Sequence, residues 1–144
     1  MQTLYKSLNN FCEKRFFPLV FIPFAVAMLC LCVESTSPFF LNDGTDSAIF
    51  KAIGLAILKG KVPYVDIFDH KGPVIFFINA LGQWIHSGRS GIFFLEIINL
   101  SVALTLLFKT SRLYVDGFTA FLCTLASLFF FGTLVTEGDQ CEEW

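Results

Sequence analysis

The side chains best suited to chemistry are Asp43, Asp46, Asp66, Asp69, His70 and Lys71, which fall in one stretch of the chain. A carboxylate near a histidine and a lysine can take a proton from a hydroxyl and hold an anion beside it. The same residues also suit a plain solvated loop. Asp46 would then favour the positive end of its own helix, and Asp69 with Lys71 would form a surface pair worth roughly 0–1 kcal/mol. Composition alone does not choose between these readings. The elements that hold the residues carry more information.

Those elements are set by an apolar chain. Of 144 residues, 55% are hydrophobic, 15% are charged and 19 are Phe, with a mean hydropathy of +0.67. A soluble domain carries roughly 25% charged residues, and it does not bury apolar runs of about 18 residues in succession. This excludes a soluble globular protein, a disordered chain and a disulfide scaffold. A net charge of −2 with no basic stripe excludes a nucleic-acid partner. The expected fold class is an all-α integral membrane protein with three to four transmembrane helices and an external loop.

Residues 1–15 read as a polar cytoplasmic N-terminus, and 16–33 as a first transmembrane helix. A signal peptide fits less well. The sequence Val33-Glu34-Ser35-Thr36 is a poor cleavage site, and Leu29 before Cys30 is a poor lipoprotein signal. Lys14 and Arg15 put the N-terminus in the cytoplasm. Residues 34–71 then form the external loop. Ser37-Pro38 and Asn42-Asp43-Gly44 are turn signals, and Thr45 is placed to cap a surface helix over 46–59 that Gly60 and Pro63 end. Ile49, Phe50, Ile53, Ile57 and Leu58 follow helical spacing, so that helix is expected to lie flat on the membrane.

Segment 72–85 is short and interrupted by Asn79, Gly82 and Gln83, whereas 91–108 and 118–135 are of spanning length, and 136–144 is an acidic tail. Two topologies stay open. If all four segments cross, Lys109 and Arg112 lie outside, against the charge rule. If 72–85 is re-entrant or juxtamembrane, they return to the cytoplasm and the tail faces out. Glu96 sits within an apolar segment, either as a functional intramembrane acid or near the interface beside Arg89. Trp84 and Tyr114 read as interface anchors. Cys12, Cys30, Cys32, Cys123 and Cys141 are odd in number and form no C-x-x-C pair, so neither zinc nor a structural disulfide is expected.

Three stretches taken in order, Asn42 to Phe50, Gly60 to Asp66 and Phe68 to Val74, resemble the first external loop of the integral-membrane GT-C glycosyltransferases. The likeness is greatest to the bacterial protein-mannosyltransferase and aminoarabinose-transferase branches. It covers residues 16 to 90 best and revives at Glu137-Gly138-Asp139 and Glu142-Glu143. The resemblance implies a polyprenyl-phosphate-linked sugar donor and transfer to an acceptor hydroxyl with inversion. Asp46 matches the catalytic base, and Lys71 matches the lysine near the donor phosphate. Asp66, Asp69 and His70 match positions that shape the pocket. Ser47 stands where some branches carry an acid, so no metal ligand set is assigned and no organic cofactor is expected.

Members of that superfamily are longer, so the chain reads as an N-terminal fragment that is inactive alone. The implied setting is a prokaryotic inner membrane, with membrane lipid around the helices and the loop outside. The alternative is a small non-catalytic membrane protein that binds or regulates a partner.

Overall fold

Proline placement decides how the first apolar run folds. Pro18 and Pro23 lack an amide hydrogen and restrict the residues before them. The run opens as a 3₁₀ turn, Phe17–Val20, and only then becomes the helix Phe21–Cys32. This computed structural model describes residues 2–12, 14, 17–40, 44–134, 138–139 and 144. Arg15, Phe16, Asn42, Asp43, Val135, Glu137, Cys141, Glu142 and Glu143, which entered the sequence argument, lie outside the described residues.

Among the described residues the chain is all-helical, with no strand. The helices are α1 (Gln2–Cys12), α2 (Phe21–Cys32), α3 (Thr45–Leu58), α4 (Pro73–Ile85), α5 (Arg89–Ser111) and α6 (Gly117–Leu134). One of them, α5, is long and apolar enough to cross a membrane, with 23 residues and a mean hydropathy of 2.1. That gives it a length of about 35 Å. Pro73–Ile85 and Gly117–Gly132 are apolar but shorter.

Helices α2, α5 and α6 form an antiparallel bundle. Phe17 and Phe21, at the start of the α2 segment, meet Phe108 near the end of α5, at 5.1 and 5.5 Å between ring centroids. At the opposite end, Thr36 beyond α2 donates to Glu96 in the first half of α5. Helix α6 returns alongside, from Gly117 near Asn9 and Cys12 to Gly132 near Met28 and Cys32. Phe121 of α6 closes the aromatic cluster, 5.4 Å from Phe17 and 6.0 Å from Phe21. The outer faces remain apolar, with Leu31, Ile98, Val102, Leu106 and Phe129 exposed.

Helices α3 and α4 pack side by side and run in the same direction. Asp46 meets Lys71 just before α4, Phe50 meets Phe76, and Gly54 lies against Asn79 and Ala80. The spacing placed a cap at Thr45, but α3 begins with Thr45 inside it, and Gly44 stands at the cap position. The buried face of α3 only partly matches the expected apolar side, keeping Phe50, Ile53 and Ile57. Ser47, Phe50, Ile53 and Gly54 face inward, while Ile49 and Leu58 are exposed. Gly54 explains the choice, because a Cβ there would come within 2.7 Å of the α4 backbone. The glycine lets two helices approach that a bulkier residue would hold apart. The end of α3 follows the sequence signal: Gly60 adopts φ +85°, donating to Ile57 at 2.9 Å while Lys61 donates to Ala56 at 3.0 Å.

Helix α4 reaches α5 through an equally close contact. A Cβ on Gly91 would lie 1.9 Å from the Gly82 carbonyl oxygen. The Gln83 amide closes the turn between them, donating to Gly88 O at 3.1 Å and accepting from Gly88 N at 2.9 Å. The α3–α4 pair thus sits beside the half of α5 that carries Glu96.

Candidate functional site

The segment after α2 turns polar at once, and its side chains find partners. Ser35, Thr36 and Ser37 are all buried. Ser37 Oγ donates to Cys30 O at 3.1 Å, satisfying a carbonyl in the last turn of α2. Ser35 Oγ accepts from Gly44 N at 3.1 Å, and Ser35 O accepts from Lys51 Nζ at 3.2 Å, so this segment holds the start of α3. Arg89 Nη1 donates to Phe40 O, tying the same segment to the start of α5.

Asp46 lies in the first turn of α3, and its carboxylate is 3.7 Å from the Lys71 ammonium. These two residues, 25 positions apart in sequence, are the two for which the resemblance implies roles as base and phosphate ligand. Both are partly open, with side-chain exposures of 42% for Asp46 and 24% for Lys71, so a ligand can reach either. Gly44 and Gly72, which stand at the cap positions, offer no side chain to the helix starts. The amide groups at the beginnings of α3 and α4 add positive potential beside Lys71.

Asp69 and Tyr64 build the support of Lys71. Asp69 Oδ1 accepts from Lys71 N at 3.0 Å, and the Tyr64 hydroxyl donates to Lys71 O. Tyr64 holds a left-handed backbone at φ 65°, fixed by its bond to Ile67 O at 2.6 Å and by ring contact with Phe76 at 5.9 Å. His70 is 3.4 Å from Asp69 but its side chain is 81% exposed. Asp66 closes its own turn, accepting from Val62 N at 2.8 Å. The structure therefore joins Asp46, Lys71 and Asp69, and leaves His70 and Asp66 at the rim.

Behind this pair lies a buried polar network. Asp139 is fully buried; its carboxylate accepts from Asn79 Nδ2 at 2.9 Å and from Ser47 Oγ at 3.1 Å. Its own amide donates to Glu96 Oε1 at 2.9 Å, and the other Glu96 oxygen accepts from Thr36. Residues from α3, α4 and α5 thus converge on one aspartate, and the segment after α2 joins them through Glu96. Asp139 adopts φ 54° and Gly138 φ 82°, and a Cβ on Gly138 would strike Val33 at 2.1 Å. Burial pushes the Asp139 carboxyl up from 3.8 to about 6. The Asn79 and Ser47 bonds and the Lys51 charge pull the other way without prevailing. Among the described residues, no group of three or more His, Cys, Asp or Glu side chains could hold a metal ion.

No family model, curated protein or solved structure matches this chain. The site must be read from its own geometry. Each member of the network carried a sequence signal: Asn79 interrupts an apolar helix, Glu96 is an acid in another, and Ser47 follows Asp46. What the sequence lacked was their meeting point, because Asp139 lies 92 residues beyond Ser47 and 43 beyond Glu96.

Proposed function

We propose that this chain forms the base-and-donor region of a membrane glycosyltransferase that moves a sugar from polyprenyl phosphate to an acceptor hydroxyl. The observation that carries the reading is the Asp46–Lys71 pair, 3.7 Å apart at the starts of two parallel helices. A sugar leaving a lipid phosphate places negative charge on that phosphate. Lys71 and the start of α4 supply the opposite charge where it develops. The phosphate displaces Asp46 from Lys71, and the freed carboxylate takes the proton of the acceptor hydroxyl. The acceptor oxygen bonds to the anomeric carbon as the bond to phosphate oxygen breaks, its electron pair staying with the phosphate. Base and leaving group lie on opposite sides of the anomeric carbon, which gives inversion.

In this reading α2, α5 and α6 cross a prokaryotic inner membrane, with α3 and α4 on its outer side. The exposed apolar faces of the bundle support it. So does the direction of the helices. Phe17 and Phe21 at the start of the α2 segment meet Phe108 near the end of α5, so the two helices run in opposite directions. If both cross, 72–85 stays on one side of that membrane.

The test is transfer of labelled sugar from polyprenyl phosphate in membranes carrying the full-length product of the native gene. Asp46→Asn is expected to lower turnover at least about 100-fold, within the range for loss of a general base. Lys71→Ala is expected to weaken donor binding, with membrane insertion retained in both variants. Undiminished transfer by Asp46→Asn removes the assignment. A second reading, a non-catalytic partner-binding membrane protein, is favoured by one feature. A groove of about 460 Å³ between α2 and α6 is lined by Phe24, Met28, Leu31, Leu125, Phe129 and Gly132. Copurification of a stoichiometric membrane partner with no sugar transfer by the pair would favour it.

A further inference from the structure

Helix α1 presents three different faces. Tyr5, Asn9 and Cys12 face the bundle: Tyr5 meets Phe118 at 5.9 Å between ring centroids, Asn9 Oδ1 accepts from Phe118 N at 3.2 Å, and Cys12 is buried. Thr3, Lys6 and Asn10 make a polar face. Leu4, Leu8 and Phe11, at helical spacing, make a third that the bundle leaves bare, with exposures of 66%, 37% and 49%. Phe11 touches Phe17 edge-on at 5.6 Å, and Lys14 lies over its ring at 5.3 Å. Three large apolar side chains in a row on a polar helix are not needed for the fold as it stands.

The surroundings say what covers them. Helix α1 leaves the segment Phe17–Cys32 at 96°, so it lies along the plane of any bilayer that segment crosses. Lys6, Lys14, Lys109 and Arg112 gather at this end of the bundle. The acidic residue facing them among the described positions is Asp116, whose carboxylate caps α6 through Phe118 N and Thr119 N, both at 3.1 Å.

We propose that α1 is an interfacial anchor for an anionic leaflet: Leu4, Leu8 and Phe11 enter the acyl region, while Lys6 and Lys14 stay among the headgroups. The inference rests on the membrane reading above. A helix with a polar face and a narrow apolar stripe binds this way, its lysines reaching to the phosphates.

The experiment places single tryptophans in the full chain after Trp84→Phe and Trp144→Phe, through Leu4→Trp, Leu8→Trp, Phe11→Trp, Lys6→Trp and Asn10→Trp. Each variant is reconstituted in phosphatidylcholine vesicles with or without phosphatidylglycerol, using acyl-brominated lipid as quencher. Quenching at 4, 8 and 11 is expected to exceed that at 6 and 10 by at least about threefold, with the contrast falling when phosphatidylglycerol is omitted. Val102→Trp, on the exposed face of α5, reports on the bundle itself. Quenching at 102 with uniformly low values along α1 overturns the anchor and leaves the membrane reading standing. Absence of quenching at 102 overturns both. An unchanged contrast without phosphatidylglycerol overturns the anionic preference.

Discussion

Asp46 and Asp139 show how one residue type takes opposite roles from its surroundings. Asp46 is open to solvent at a helix start, with a lysine beside it. Asp139 is sealed among Ser47, Asn79 and the Glu96 side of α5, and its carboxyl stands at about 6 because burial outweighs its hydrogen bonds. A carboxyl whose folded pKa exceeds its unfolded value holds its proton more tightly in the fold. Its contribution to stability is full below the unfolded value of 3.8 and is lost as pH rises through about 6. At about 1.4 kcal/mol per unit, the loss is about 3 kcal/mol. Melting temperature in detergent is therefore expected to fall between pH 4 and 7, with Lys51 and Glu96 as the charged neighbours. Asp139→Asn, which keeps an acceptor for Asn79 and a donor for Ser47, is expected to flatten that slope. A slope unchanged in the variant would assign the effect to other groups. The sequence singled out Asp46 and Lys71 through a resemblance of short motifs, but not their contact with each other. It could not show the sealed one, since burial depends on four elements far apart in the chain.

Helix ends were the most legible part of the architecture, because their signals are local. Gly60 ends α3 as its position suggested, and Pro73 opens α4. The packed side of α3 was legible only in part: Phe50, Ile53 and Ile57 pack as their spacing suggested, but Ile49 and Leu58 are exposed. Hydrophobic spacing selects the greasiest face, whereas contact with α4 selects the face bearing Ser47 and Gly54. Two glycine substitutions separate these effects. Gly60→Ala has open space around it and faces only its backbone angle of +85°, so a loss of about 1 kcal/mol is expected. Gly91→Ala must move the α4 backbone, since its Cβ would sit 1.9 Å from Gly82 O. Its loss is expected to reach about 3 kcal/mol or more. Thermal melts of the two proteins side by side check the ranking, and equal losses would show that the α4–α5 contact yields easily.

Chain direction makes a statement that the charges alone do not. The sequence left two topologies open, since lysine positions were known and helix directions were not. With α2 and α5 antiparallel, Lys61 and Arg112 are expected on opposite sides of a membrane. Cysteines introduced at 61 and 112 should react with an impermeant maleimide from opposite faces of oriented vesicles; labelling from the same face contradicts the bundle as a spanning unit.

The network around Asp139 also has a history in time. Ser47, Asn79 and Glu96 are synthesised long before the aspartate, which lies 92, 60 and 43 residues later. At roughly 5–20 residues per second, Ser47 waits about 5–18 seconds for its partner to be made. During that interval the polar faces of α3, α4 and α5 must be satisfied by water or by one another. The helices can dock in outline as they emerge, but the bonds that unite them must wait for the aspartate. Translation past residue 139 thus acts as the timer for closing this site.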